Sequence, residues 1–149
     1  MKVFDREIPR GEKVFFGVPV GEYANRAKVE LPVMVIRGKE DGPTFWINGE
    51  VHGEEINGSQ AAWEFALELD PRDLKGAVVM TPIANPIALV DRIKVSQIDY
   101  LDMDTAFPGN MGGQWTQKLA YTLWEGIKDT ADYLLSMHSQ ATKYSGNPY

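Results

Sequence analysis

The 149-residue chain has no cysteine. That absence removes disulfides, thiolate metal ligands and a cysteine nucleophile together, while leaving the compartment open. Histidine is nearly as scarce: His52 and His138 are the only two, so any imidazole chemistry must run through one or both. Basic residues are outnumbered, 15 Lys and Arg against 21 Asp and Glu, for a formal net charge of −6. Such a surface repels phosphate backbones, and nucleic acid is excluded as an expected partner. No apolar run approaches the ~18–20 residues that span a bilayer. The opening Met1-Lys2-Val3-Phe4-Asp5-Arg6 lacks the apolar block of a secretory signal. The expectation is a soluble, cytoplasmic protein with no membrane partner. Internal repeats, low-complexity tracts and Ser/Gly linkers are also missing.

What is present suits one domain with one substantial core, at 44% hydrophobic residues. Lys13–Val20 and Leu31–Arg37 read as strands from their β-branched and aromatic residues, with Gly38–Pro43 as a turn. Thr44–Asn48 and Gly76–Thr81 are short apolar runs expected as buried strands. Ile56–Leu69 is expected as a helix, with Ala62, Phe65, Ala66 and Leu69 apolar at helical spacing, and it stops at Asp70-Pro71. Trp115–Ile127 is a second helix with Leu119, Leu123 and Ile127 on one face. Asp132–Met137 is a last strand, and Pro82–Gly113 is a long loop with room for one short helix. Alternating strands and helices predict an α/β fold: a mixed, mainly parallel sheet with helices on both faces. The tail Ser145–Tyr149 closes no element. The expected organisation is a single amino-terminal domain, residues 1–149, of a longer protein.

The chemistry concentrates in Val51-His52-Gly53-Glu54-Glu55-Ile56-Asn57-Gly58. His52 follows a strand, and Glu55 is expected in the first turn of the next helix, where residues three apart share a face. His138 also stands just past a strand, and open α/β sheets gather their ligands at that edge. Two imidazoles and a carboxylate can hold zinc and leave a position open for water, although the spacing does not distinguish zinc from other divalent ions. His-x-x-Glu is a common pattern, however. Glu54 and Glu55 serve equally well as helix-start charges worth ~0.3–1 kcal/mol, and His138 as a satisfied half-buried imidazole.

Longer blocks carry a resemblance. Gly42-Pro43-Thr44 leads into Asn48-Gly49-Glu50-Val51-His52-Gly53-Glu54-Glu55-Ile56-Asn57-Gly58. Ala84-Asn85-Pro86-Ile87-Ala88 follows, then Asp99 to Gly109, then Leu135-Ser136-Met137-His138-Ser139. In this order they resemble the aspartoacylase and succinylglutamate desuccinylase family, which is similar to the zinc carboxypeptidases in fold and metal site. The resemblance implies one zinc per chain, with His52 and Glu55 as paired ligands, His138 as the third and a bound water. It implies hydrolysis of an amide or ester bond in a small acylated metabolite. The family's general-base glutamate lies well beyond the third ligand, past Tyr149, so no catalytic residue is assigned within the chain.

Departures from the family pattern bear on the substrate. Where the family reads Asp-x-Asn-Arg, with Asn and Arg holding a substrate carboxylate, this chain has Asp102-Met103-Asp104-Thr105. Asp104 should repel an anion, and Thr105 removes the guanidinium fork. Lys94 stands where the family has another arginine, with Arg92 nearby. Arg92, Lys94, Asp104 and Thr105 are therefore the substrate-binding candidates, although Arg92 and Lys94 also read as a solvated basic loop. Ser136 replaces the acidic residue many members carry before the third ligand. Two alternatives stand beside the deacylase: a carboxypeptidase-like metallopeptidase, which Met137-His138-Ser139 also resembles, and a degenerate, non-catalytic metal-binding domain. Gly112-Gly113 is too short for a phosphate loop, and no serine has a nucleophile-elbow context.

Overall fold

The computed structural model describes residues 1–140; the tail Ser145–Tyr149 lies outside them. A small hairpin, β1 (Lys2–Val3) with β2 (Arg6–Glu7), precedes the main sheet. Two ten-residue strands, β3 (Lys13–Glu22) and β4 (Lys28–Arg37), pair antiparallel. They run further than their apolar cores suggest. Pro19 is tolerated because β3 is an edge strand and its register shifts between Pro19 and Gly21.

Next come β5 (Glu40–Asn48), α1 (Ile56–Glu68), a 3-10 turn at Pro71–Asp73 and β6 (Lys75–Thr81). The turn expected at Gly38–Pro43 is mostly drawn into β5. Glu40 already pairs with Lys75, and the turn-forming Asp41-Gly42-Pro43 survives as a register shift before Thr44 pairs with Ala77. The chain then forms α2 (Pro86–Asp91), α3 (Met103–Ala106), α4 (Trp115–Thr130) and β7 (Tyr133–Ser136). The stretch read as a loop with one short helix thus holds two, each too brief to show a periodicity. Both are started by side-chain caps: Asn85 Oδ1 accepts from Ala88 N at 3.1 Å, and Asp102 Oδ1 accepts from Asp104 N at 3.0 Å.

The sheet order is β3-β4-β6-β5-β7, antiparallel across β3/β4 and β4/β6 and parallel across β6/β5 and β5/β7. This is the expected mixed α/β sheet, with its parallel part where the helices intervene. Successive residues of a strand point to opposite faces, and the core divides accordingly. Val33, Val35, Trp46 and Val79 pack with Leu119, Ala120, Leu123 and Ile127 of α4 on one face. Ile36, Ile47, Val78 and Met80 pack with Ala62 and Ala66 of α1 on the other. Phe65, one of the apolar residues at helical spacing, is 42% exposed. The buried stripe of α1 runs through the small residues Gly58, Ser59, Ala62 and Ala66, which let the helix sit close to the sheet. Among the described residues, no helix is long and apolar enough to cross a membrane.

Candidate metal centre

Adjacent parallel strands bring the two histidines together. Asn48 ends β5 beside Ser136 at the end of β7, so His52 and His138 leave the same edge of the sheet. Asn48 anchors that edge: its carbonyl accepts from Met137 N at 2.9 Å, and its Oδ1 accepts from Trp46 Nε1 at 2.7 Å. Gly53 lets the loop after His52 press against α2, since a Cβ there would fall on the Ala88 carbonyl.

Glu55 stands immediately before α1, at its N-cap, rather than in the first turn. Its relation to His52 is therefore a backbone turn, with Glu55 N donating to His52 O at 3.1 Å, and not a shared helix face. The carboxylate makes no cap bond. It turns to the imidazoles: Oε1 lies 2.8 Å from His52 Nδ1, and Oε2 lies 3.0 Å from His138 Nδ1. Ser139 N donates to Oε2 at 3.1 Å. The ring centroids are 5.2 Å apart.

The opposite side of both rings meets a second carboxylate. Asp104 Oδ2 is 3.2 Å from His52 Nε2, and Asp104 Oδ1 is 3.9 Å from His138 Nε2. His52, Asp104 and His138 form a group able to hold a metal ion, with one ligand atom from each within 4.8 Å of the others. The imidazole pair is thus bracketed by Glu55 on its Nδ1 side and Asp104 on its Nε2 side. The side chains differ in setting: Glu55 is 12% exposed and Asp104 47%.

Asp102, which no spacing to either histidine marks in the sequence, touches the cluster directly. Its Oδ1 lies 3.1 Å from His52 Nε2, and its Oδ2 lies 2.7 Å from Lys94 Nζ. Burial alone would lift its carboxyl, but Lys94, the Asp104 N–H and His52 outweigh that and hold it below the usual value. For His52, burial pulls the imidazole down. Hydrogen bonds to Glu55 and Asp102, with the charges of Glu55 and Asp104, reverse this and leave it above its ordinary value.

The four substrate-binding candidates separate. Asp104 joins the cluster, and among the described residues Lys94 meets it through Asp102. The Thr105 hydroxyl donates to the Asp102 carbonyl at 2.9 Å. Arg92 ends α2 in the left-handed region, φ 50°, and is exposed; among the described residues no hydrogen bond or ion pair ties its side chain to the cluster. Ser136 Oγ lies 3.4 Å from His138 Nε2. Glu50, which the sequence did not single out, is 1% exposed with left-handed backbone, φ 50°. Burial raises its carboxyl, partly offset by Ser59.

Comparison with known proteins bears on the family and the fold. Residues 41–147 match the family described as the succinylglutamate desuccinylase/aspartoacylase catalytic domain. The chain is 30% identical over 111 residues to the N-alpha-acetyl-L-2,4-diaminobutyric acid deacetylase of Halomonas elongata, an alignment covering 74% of this chain and 32% of that one. The crystal structure of a succinylglutamate desuccinylase/aspartoacylase from Rhodobacter sphaeroides superposes with a TM-score of 0.82 at 30% identity, covering 92% of this chain and 43% of that one. The product-bound ectoine utilization protein EutE (DoeB) from Ruegeria pomeroyi gives 0.79 at 26% identity, covering 90% and 42%. The chain therefore spans less than half the length of these relatives, which by name include deacylating enzymes. This chain belongs to the succinylglutamate desuccinylase/aspartoacylase family.

Proposed function

We propose that residues 1–149 form the amino-terminal, metal-holding domain of a zinc-dependent deacylase that cleaves an amide or ester bond in a small acylated metabolite. One observation carries the reading: the two oxygens of Glu55 each meet the Nδ1 of a different imidazole, at 2.8 and 3.0 Å. Two nitrogen donors and one carboxylate, with no thiolate, form a donor set that suits catalytic zinc with a position left open. His52, Glu55 and His138 would hold the ion. When bound, it supplies Lewis-acid polarisation of the acyl carbonyl and acidifies water toward a pKa of ~7.

The remaining work falls to the chain's own groups. With the ion bound on the Nδ1 side, Asp102, 3.1 Å from His52 Nε2, would accept that nitrogen's proton and orient the ring. Lys94 holds Asp102 in place for that purpose. Glu55 brings negative charge, and its Ser139 N–H contact limits its rotation. In this proposal the general base is a glutamate beyond Tyr149, as the family resemblance implies.

A second position for the ion rests on the grouping of His52, Asp104 and His138. Glu55 is favoured over Asp104 because it is more buried and its contacts to both rings are shorter. The metallopeptidase alternative needs a clamp for a free terminal carboxylate, and Asp104 with Thr105 offers none. Metal analysis of purified, tag-free protein tests the proposal: about one zinc per chain is expected, and none after reconstitution would refute it. A chain that binds zinc but hydrolyses no acylated amine or ester, even at full length, would favour the non-catalytic reading.

A further inference from the structure

We infer that Asp104 is a charge-selecting residue, and that the acyl substrate carries an ammonium or another donor, not a carboxylate, on the side of the site that Asp104 faces. The inference rests on the metal-centre reading above and adds the class of substrate to it.

The charges around the two imidazoles can be followed one by one. Three carboxylates touch them: Glu55, Asp102 and Asp104. Lys94 is the cation that meets these carboxylates among the described ion pairs, and it is committed to Asp102 at 2.7 Å. Asp102 in turn receives the Asp104 N–H and faces His52 Nε2, so this ion pair is closed on itself. Thr105 brings a hydroxyl where a guanidinium would be needed, and that hydroxyl already donates to the Asp102 carbonyl. A divalent ion held by His52, Glu55 and His138 would offset the charges of Glu55 and Asp104 only in sum, since Asp104 stands on the Nε2 side of the rings. A substrate carboxylate arriving here gains no net attraction and meets Asp104 directly. An ammonium gains a charge-assisted partner.

Position supports the same assignment. Asp104 is the most exposed of the three acids, at 47% against 12% for Glu55 and 24% for Asp102. It lies in α3, whose backbone is held by the Asp102 cap, and its carboxylate reaches both rings, at 3.2 and 3.9 Å, while staying open to solvent. It can therefore greet an incoming group in a way the two inner acids cannot.

The test compares binding of two small amides of similar size to the full chain, with and without zinc. One is N-acetylethylenediamine, a cation at neutral pH, and the other is N-acetylglycine, an anion. Affinities are read by NMR titration at low and high salt. The wild-type chain should bind the cation at least about tenfold more tightly, and the gap should shrink with salt. Asp104→Asn should remove most of the preference while zinc stoichiometry and the thermal melt stay unchanged; Asp104→Ala is the second variant. Equal or stronger binding of the anion by the wild type would overturn the inference. So would a preference that survives both substitutions, or zinc loss in the variants, which would make Asp104 a ligand instead. Failure of the wild-type chain to take up zinc would sink the metal-centre reading alone, because the charge preference is also measured on the metal-free chain.

Discussion

Glu55 and His138 lie 83 residues apart in the chain, yet Oε2 of one sits 3.0 Å from Nδ1 of the other. The contact exists because β5 and β7 are parallel neighbours that end level with each other, at Asn48 and Ser136. If it is also a shared bond to a metal, Glu55→Ala should lower zinc affinity by more than about 100-fold, beyond the ~10–100-fold typical of losing an outer partner. Competition with a chromophoric chelator measures this. Wild-type affinity in the variant would remove Glu55 from the site.

Asp102 is expected to act on the metal through His52. Asp102→Asn should weaken zinc binding by about 10–100-fold, with Lys94→Ala giving a smaller loss in the same direction. The cobalt-substituted protein should keep its coordination number in both variants, because no ligand has been removed. A change in coordination number would mean that Asp102 touches the ion itself.

Gly53 is expected to be intolerant of even a methyl group. A Cβ there overlaps the Ala88 carbonyl, which is backbone and cannot swing away. Gly53→Ala should force α2 outward, costing about 1–3 kcal/mol, and should weaken zinc binding because His52 is the neighbouring residue. Chemical denaturation and the chelator assay check the two effects separately. In the core, Leu123→Ala on the fully buried face of α4 should cost about 2–5 kcal/mol without altering zinc affinity.

Much of the fold is legible in the sequence, for physical reasons that differ from place to place. The strands announced themselves through β-branched runs such as Val33-Met34-Val35-Ile36. The α4 stripe of Leu119, Leu123 and Ile127 is long enough to reveal its period. The helices α2 and α3 were harder, since six and four residues hold too little periodicity and their starts depend on the Asn85 and Asp102 caps. The exposure of Phe65 is not legible, because hydrophobicity alone does not tell which side of α1 must approach the sheet closely. At the site, the scarcity of histidine singled out His52 and His138. Asp102 stayed hidden because its contact with His52 depends on how the long loop folds back, over a separation of 50 residues.

One pH effect follows from a surface pair that steadies the turn between α1 and β6. Asp70 accepts from Arg72 N at 2.8 Å and meets its guanidinium at 2.6 Å, which holds the carboxyl down to about 2. A depressed carboxyl contributes stability above its unfolded value of 3.8, and that contribution fades as pH falls toward about 2. Asp70→Asn should therefore lower the melting temperature slightly at neutral pH, less so in high salt, and the gap should close with acid. A gap that widens below pH 3.8 would contradict the assignment.

The most direct test is an anomalous-scattering map at the zinc edge from crystals grown with the metal. A single peak bonded to Nδ1 of both His52 and His138 and to the Glu55 carboxylate is the predicted result. A peak on the Nε2 side with Asp104 and without Glu55, or no peak on either histidine, would contradict it.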